Sequence, residues 1–294
     1  MTRLLSIFLI LLGMSATLRA DDAEDRVVNF VEKVGGKVTR DEKRPKKPVV
    51  KVDLRGTSVT DAGVKDLAAL NNLAELYLGG TKVTDAGLKN LAPLANLTRL
   101  DLANSAVTGA GLKDLAPLTN LTELDLSFTQ VTDAGLKDLA ALTNLTVLNL
   151  LDTKVTDVGV LNIAKLKKLS SLNLHSTQVT GAGLKEFASV ATLIDLTLSK
   201  TQVNDDGLKD IATLTNLTVL KLDGTKMTDI GVKDIAKLAK LTSLDLAHTQ
   251  VSDNGMKDIV TLKKLFLLGL TGSKVTDAGV KEVQKALPKC LIGR

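Results

Sequence analysis

The sequence predicts an α/β solenoid in which short strands and short helices alternate in stacked coils. The same pattern returns every 24 residues over 49–288, in ten copies without insertion or deletion. Each copy opens with apolar and polar residues in alternation, which is the period of a half-buried strand. Each copy closes with apolar residues at helical spacing. A fixed period of this size is typical of stacked repeats, because one unit alone cannot bury its apolar face.

The fourth unit, residues 121–144, shows how one coil is built. Leu124 and Leu126 alternate with polar residues and predict a short strand. Thr132, at position 12 of the unit, predicts a helix cap, and Asp133 is favourable beside the start of a helix. Position 12 holds Thr, Ser or Asn in every copy, and Asp follows in eight of ten. We interpret these Asp residues as helix starts rather than as reactive groups.

Two further columns of the repeat carry structural predictions. Position 15 is Gly in all ten copies, from Gly63 to Gly279. Either the backbone there takes a positive φ, or the neighbouring coil approaches too closely for a Cβ, and the sequence does not separate the two. Position 9 is Thr in eight copies and Ser in two. We expect this column to point inward and to form a hydroxyl ladder between neighbouring coils, since buried polar groups need partners.

The pattern Leu-x-x-Leu-x-Leu-x-x-Thr-x-Val resembles that of leucine-rich repeat proteins and covers about four-fifths of the chain. The Val-Thr-Asp-x-Gly-Leu segment is similar to the ribonuclease-inhibitor-like and cysteine-containing classes of repeat. Residues 31–42 and the near-identical copies resemble secreted repeat proteins of planctomycete-type bacteria. The resemblance implies a right-handed horseshoe with a parallel sheet on its concave face and short helices on its convex face. It also implies a protein partner that docks on the concave face.

The N-terminal segments predict export and a cap. Residues 1–20 join a basic start, an apolar run and a final small residue, which is typical of a signal peptide. Its removal takes away two arginines and lowers the formal net charge from +5 to +3. Residues 21–48 predict one amphipathic helix, ended by Gly35-Gly36, and then a charged loop from Arg40 to Pro48. We expect the helix to cover the first coil rather than to bind a partner, and the loop to be solvated or to touch an anionic surface.

The C-terminal residues predict a second cap. Residues 289–294 begin an eleventh strand in register, and Gln284 makes the last helix polar where another coil would otherwise pack. The chain therefore divides into a signal peptide (1–20), an N-terminal cap (21–48), the repeat domain (49–288) and a C-terminal cap (289–294).

Motifs of catalysis or cofactor binding are missing from the sequence. His175 and His248 lie three strands apart, a separation of roughly 14 Å that is too large for one zinc site. The sequence contains no glycine-rich phosphate loop and no nucleophile elbow. One cysteine excludes an internal disulfide. We expect no enzymatic activity, no cofactor and no metal, and the net charge is too small to indicate nucleic-acid binding.

A partner site is predicted where near-identical copies differ, because invariant columns serve the fold. On the exposed strand face these positions are acidic in the early units and include two aromatic residues, which are good interface anchors. Acidic residues beside them favour a basic partner. The alternative is drift on an unused face. The candidate site residues are Glu75, Tyr77, Arg99, Asp101, Glu123, Asp125, Phe128, Asn149, Asn173 and His175.

The sequence therefore predicts a non-enzymatic protein-binding scaffold, monomeric and either secreted or periplasmic, with no membrane span after cleavage. One alternative is a structural component of the cell envelope. Another is an F-box-like substrate adaptor of a ubiquitin ligase, but residues 21–48 are too short for an F-box.

Overall fold

The computed structural model describes residues 23–294, and the expected signal peptide lies outside these residues. Within the described part, twelve strands form one open sheet in the order of the chain. The first pair of strands is antiparallel, and every later pair is parallel. The strands are β1 (Lys37–Arg40), β2 (Val49–Asp53), β3 (Glu75–Tyr77), β4 (Arg99–Asp101), β5 (Glu123–Asp125), β6 (Val147–Asn149), β7 (Ser171–Asn173), β8 (Asp195–Thr197), β9 (Val219–Lys221), β10 (Ser243–Asp245), β11 (Leu267–Gly269) and β12 (Leu291–Gly293).

The register of the sheet follows the repeat. Leu124 pairs with Leu148, and Leu148 pairs with Leu172, each 24 residues further along the chain. All three side chains are buried. Burying a leucine fully is worth about 2 kcal/mol, and the same column continues through the sheet, so the stacked leucines supply much of the driving force for folding. The predicted solenoid is confirmed.

Short helices return the chain from one strand to the next and line the convex side. The first is helical over residues 23–33 (α1). Most of the others are one or two turns long because the 24-residue period leaves little room. Two units use a 3-10 helix in place of an α-helix, over Gly109–Leu115 and Leu184–Ser189. The remaining α-helices are α2 (Asp61–Asp66), α3 (Asp85–Leu88), α4 (Asp133–Leu136), α5 (Asp157–Ile163), α6 (Asp205–Ile211), α7 (Asp229–Ile235), α8 (Asp253–Ile259) and α9 (Asp277–Ala286).

Both ends of the described solenoid are covered. Val27 and Val31 of α1 are buried in the common core, and the ring of Phe30 lies against Gly63. At the other end, the amide of Gln284 donates to the carbonyls of Pro288 and Cys290 and so ties α9 to the start of β12. These contacts hide apolar surface that the first and last coils would otherwise expose.

Strand β1 was not predicted by the sequence, which placed Arg40 at the start of a loop. The chain turns at Gly35, whose φ of 85° is open to glycine at no steric cost. Residues 37–40 then run back along β2 as an antiparallel edge strand. Arg40 is held there by ion pairs with Glu24 and Asp25 of α1. The local pattern Lys-Val-Thr-Arg is too short and too polar to indicate a strand by itself.

The Asp at position 13 joins neighbouring coils, a role beyond the predicted one at the helix start. Asp61 accepts the backbone N–H of Thr84 at 2.8 Å and its hydroxyl at 2.7 Å. Asp229 accepts the N–H and hydroxyl of Ser252 and the N–H of Gly255. We call this column the aspartate ladder. Its further steps run from Asp85 to Thr108, Asp133 to Thr156, Asp157 to Thr180, Asp205 to Thr228 and Asp253 to Thr276.

The predicted helix caps depend on this ladder. Where an Asp stands one coil earlier, the position-12 hydroxyl donates to that carboxylate and accepts from the second helical N–H, as Thr84 does from Ala86. Thr60 and Thr132 form no cap bond. Thr60 lies in the first unit, and the coil before Thr132 carries Gly109 in place of Asp. Asn204 lies in the coil after Gly181. Its amide oxygen accepts the helical N–H groups directly, so it needs no carboxylate to orient it. The carboxylate therefore orients the capping hydroxyl.

The predicted hydroxyl ladder at position 9 is wrong. These side chains are mostly buried, but each bonds within its own coil, as Thr129 does to the carbonyl of Leu126 at 2.6 Å. Besides the position-12 hydroxyls of the aspartate ladder, hydroxyls at position 2 form bonds between coils. There Thr122 donates to the carbonyl of Thr98, and Thr146 donates to that of Thr122. Position 9 closes a tight turn after the strand, so its nearest acceptor lies three residues back.

The glycines at position 15 are required mostly by close approach between coils. A Cβ on Gly87 would lie 2.5 Å from a carboxylate oxygen of Asp61. In two places position 13 of the preceding coil is also Gly, and the two backbones are in direct contact. Gly109 lies against Gly135, and Gly181 lies against Gly207. We call these two contacts the glycine joints. Only Gly183 in this column has a positive φ, of 84°.

Candidate functional site

The polar residues at position 5 of the concave face help to hold the fold together. At position 5, Asp101 and Asp125 each accept the N–H of the residue two further along, at 2.9 and 2.8 Å. Asn149 and Asn173 do the same for Leu151 and His175. This side-chain turn ends each strand. Four of the predicted site residues therefore have a structural task, and the amide of Asn149 also donates to the second carboxylate oxygen of Asp125 at 3.0 Å.

Tyr77 is the centre of a charged network on β2–β5. Its side chain is not the exposed anchor that the sequence predicted, because the residue is 8% exposed. The Lys51 ammonium and the Arg55 guanidinium lie 4.7 and 4.8 Å from the centre of the ring. The hydroxyl donates to Glu75 at 2.8 Å and accepts from Arg99 at 3.2 Å.

The rest of this network consists of ion pairs across strands. Lys51 pairs with Glu75 at 3.3 Å, and Arg99 pairs with Glu123. Burial tends to raise the pKa of Glu75, but hydrogen bonds from Tyr77 and Lys51 outweigh it and lower the pKa. The pKa of Arg99 is raised, chiefly by its hydrogen bond to Glu123 and then by that to Tyr77. Each charge therefore has a partner within the face.

Lys51 and Arg55 were missed as site residues. They turn a face predicted to be acidic into one of mixed charge. Lys51 stands at position 3, whose variable composition was visible in the sequence. Arg55 stands at position 7, and no pattern in the sequence places it over the tyrosine ring.

Asp101 and Asp125 provide the negative charge that the network leaves uncompensated. They pair in register on adjacent strands. The pKa of Asp101 is raised above its usual range, first because burial removes water from the carboxyl and then because Asp125 repels the ionised form. The N–H of Ala103 and the charge of Arg55 oppose this shift without cancelling it. Two carboxylates on adjacent strands repel each other and favour a cation between them.

Several predicted residues surround one shallow concavity of about 320 Å³ on β3–β6. Leu100, Leu124 and Val147 form part of its floor. Asn173 and His175 lie outside it, toward the middle of the sheet, and Glu75 reaches it only through its bond to Tyr77. The predicted residues that line it are Tyr77, Arg99, Asp101, Glu123, Asp125 and Asn149.

Phe128 lies shortly after the end of β5 and is not one of the residues that line the concavity. It is 53% exposed and has a φ of 55°, in the left-handed region. Every unit has a positive φ at this position, and four of the ten place Gly there. A bulky side chain in this conformation is unfavourable by about 1–2 kcal/mol. The fold thus tolerates an exposed aromatic ring where glycine would be less strained.

We expect Asp101→Asn to raise the free energy of unfolding at neutral pH by about 0.5 kcal/mol. Asn keeps a side-chain oxygen that can accept the N–H of Ala103. Asn149, at the same position two strands further on, accepts the N–H of Leu151 in this way. A raised pKa means that the folded state binds the proton more tightly than the unfolded state, so ionised Asp101 destabilises the fold. Urea unfolding from neutral to acidic pH measures this. The stability advantage of the variant over wild type should shrink as pH falls through the raised pKa of folded Asp101 toward the ordinary Asp value of 3.8. A variant less stable than wild type at neutral pH would contradict the assignment.

Residues 23–294 show no sign of a metal site or of a membrane-spanning helix. These residues contain no group of three or more His, Cys, Asp or Glu side chains placed to hold a metal ion. In the same part of the chain, no helix combines the length and apolar character needed to span a bilayer.

Comparison with known proteins gives consistent results. The family model described as "Leucine Rich repeats (2 copies)" matches residues 119–162. The model described as "Leucine Rich repeat" matches residues 69–92, 94–116, 213–236 and 237–260. A search of curated proteins finds no match.

Among solved structures, an internalin (inlF) from Listeria monocytogenes is 23% identical, with a TM-score of 0.52 over 93% of this chain and 94% of that one. A plant peptide hormone receptor, RGFR1, in complex with RGF2 is 17% identical, with a TM-score of 0.55. That match covers 87% of this chain and 39% of the receptor. At these identities the likeness shows the fold alone. Together with the family matches and the 24-residue register of the sheet, it makes this chain a leucine-rich repeat protein.

Proposed function

We propose that this chain is a non-enzymatic scaffold that binds a protein partner on the concave face of its first half. The observation that carries the proposal is Phe128. An exposed aromatic ring on strained backbone follows β5, the strand that contributes Glu123 and Asp125 to a concavity with two adjacent, uncompensated carboxylates. Strain of this kind concentrates where a side chain is used for binding.

The chemistry of the surface defines the partner. The pair formed by Asp101 and Asp125 favours a Lys or Arg side chain, and Phe128 favours an apolar residue next to it. Tyr77 acts within the scaffold, since its ring and hydroxyl are occupied by Lys51, Arg55, Glu75 and Arg99. The proposed partner is therefore a protein surface that presents a basic residue beside an apolar one. The complex of RGFR1 with RGF2 supports the use of this fold for peptide recognition.

Three further proposals concern the setting. The apolar N-terminal segment supports export to the periplasm or the cell surface. The mixed charges of the convex side, with Lys at position 17 in nine units, support a soluble monomer. The concavity offers no nucleophile beside a base, which supports a role in binding rather than catalysis.

The variant Phe128→Gly tests the site without weakening the fold. Glycine relieves the left-handed backbone but adds freedom to the unfolded chain, so the free energy of unfolding should stay equal or rise by up to about 1 kcal/mol. Loss of a buried aromatic anchor typically lowers affinity by about 2 kcal/mol, or roughly 30-fold. Cross-linking mass spectrometry on envelope extracts of the source cells measures capture of the partner.

Phe266→Ser is the matched control, because Phe266 is 52% exposed and lies six units away on the same chain. We expect wild type and the Phe266 variant to cross-link one shared partner through the 75–152 region, and the Phe128 variant to lose it. Equal capture by all three proteins would reject the site, although a scaffold with another binding face would remain possible. A partner whose cross-linked segment lacks Lys and Arg would reject the proposed chemistry.

A further inference from the structure

The net charge of the described chain is concentrated in one short segment. Residues 37–51 hold seven Lys and Arg against two Asp and Glu, a formal charge of +5. Over the rest of 23–294 the counts are 29 and 29. We call residues 37–51 the basic segment. A solenoid with no net charge over nearly all of its length thus has a strongly positive end.

The centre of the basic segment is an ordered, projecting turn. It is closed by backbone bonds from Asp41 to Pro48, from Arg44 to Asp41 and from Lys47 to Arg44, at 2.9, 3.3 and 3.1 Å. Lys46 and Lys47 both have left-handed φ angles, of 65° and 44°. Residues 42–47 are all exposed. Two consecutive lysines in a conformation that favours glycine are held outward by this turn.

Nearby carboxylates neutralise only part of this charge. Glu24 and Asp25 of α1 pair with Arg40, and Glu42 pairs with Lys47 at 2.5 Å. Lys51, at the end of the segment, pairs with Glu75 on the concave face. Asp41 uses its carboxylate to accept the N–H of Lys43. The surface that the turn presents is therefore positive on balance.

The shape of this charge indicates a flat partner. A linear polyanion needs a basic track, yet beyond the basic segment the described chain is neutral, and Lys at position 17 alternates with Asp, Asn or Glu at position 18. None of the exposed large apolar side chains in the described residues precedes Phe128, so this end has nothing to insert into a membrane core. A compact positive end suits contact with a continuous anionic surface.

We propose that the basic segment binds the surface of an anionic phospholipid bilayer and holds the solenoid end-on against it. Association of this kind is electrostatic, reversible and weakened by salt. It would leave the concave face open, so it is independent of the partner proposed above.

Co-sedimentation of the full chain with vesicles tests the proposal. The test variant replaces Lys43, Arg44, Lys46 and Lys47 with Gln. The control replaces Lys89, Lys113, Lys137 and Lys185 with Gln, which gives the same loss of charge on the convex side. Each basic side chain near an anionic membrane contributes roughly fivefold to binding. We expect the test variant to bind vesicles containing about one-third phosphatidylglycerol at least about 100-fold more weakly than wild type, and the control to change by less than about threefold.

The outcomes separate the possibilities. High salt should abolish the difference, and vesicles of phosphatidylcholine alone should bind neither variant more weakly than wild type. Equal losses in the test and control variants would show a response to net charge alone and overturn the proposal. Binding of wild type to soluble polyphosphate but not to anionic vesicles would overturn it as well, in favour of a polymer ligand. Circular dichroism of both variants confirms that the fold is retained.

Discussion

Replacing Gly207 with Ala is expected to lower the free energy of unfolding by about 3 kcal/mol, the upper part of the range for overpacking. A Cβ at this residue would overlap the carbonyl oxygen of Thr180 and lie 3.0 Å from the Cα of Gly181. These are backbone atoms of the preceding coil and cannot rotate away. Two coils must therefore separate, which also strains the strands that they share. Urea unfolding followed by circular dichroism measures the change.

Gly293→Ala serves as the control for this substitution. No atom lies within 4 Å of a Cβ built there, and its φ is not positive. Its stability should differ from wild type by less than about 0.5 kcal/mol. If Gly207→Ala were equally neutral, the glycine joint would not be a close contact.

The variant Asp229→Ala is expected to lower the free energy of unfolding by about 2–3 kcal/mol. It removes the acceptor for the N–H and the hydroxyl of Ser252, and one of the two acceptors of the Gly255 N–H, which also bonds to the carbonyl of Ser252. It also frees the Ser252 hydroxyl that caps α8, and loss of a cap is worth about 1 kcal/mol. Asp229→Asn keeps one acceptor oxygen and should fall between the variant and wild type. The same unfolding experiment measures both.

Asp138→Ala removes an Asp from position 18 of its unit, outside the aspartate ladder, and should change stability by less than about 0.5 kcal/mol. A loss at Asp138 as large as that at Asp229 would mean that aspartates matter only through the charge of the molecule. Native-state hydrogen exchange gives a second readout. The N–H of Ser252, whose acceptor is Asp229, should lose protection in Asp229→Ala and keep it in the control.

The repeat could be predicted from the sequence because its period of 24 forces identical columns into contact. Once Leu124 stacks on Leu148, the strands, the parallel order and the position of the helices follow. Bonds between coils were less accessible. Thr129 and Thr122 are both threonines in regular columns, and only the turn geometry decides that the first bonds within its coil and the second bonds to the preceding one. The aspartate ladder was hidden for a related reason, since an Asp after a helix cap already has a sufficient local explanation.

The candidate site was predictable only in its location. Variable columns on the strand face pointed to Asp101, Asp125 and Arg99, which do lie around one concavity. The same reasoning gave Tyr77 the role of a free anchor, because position 5 lies on the exposed face of the strand. The cations of Lys51 and Arg55 cover the ring, and this depends on side-chain directions that no repeat pattern encodes.

The glycine joints also affect how the solenoid unfolds. Gly109 and Gly181 stand 72 residues apart, three units, and at each the bonds of the aspartate ladder are replaced by backbone contact. At the second joint one carboxylate bond between the coils is kept, from the N–H of Gly183 to Asp210. In a linear array, cooperativity passes only between neighbours. The solenoid is thus divided into blocks that are tied more firmly within themselves than to one another. Local unfolding should begin and stop at the two glycine joints, so that one block could unfold while the rest of the array stays folded.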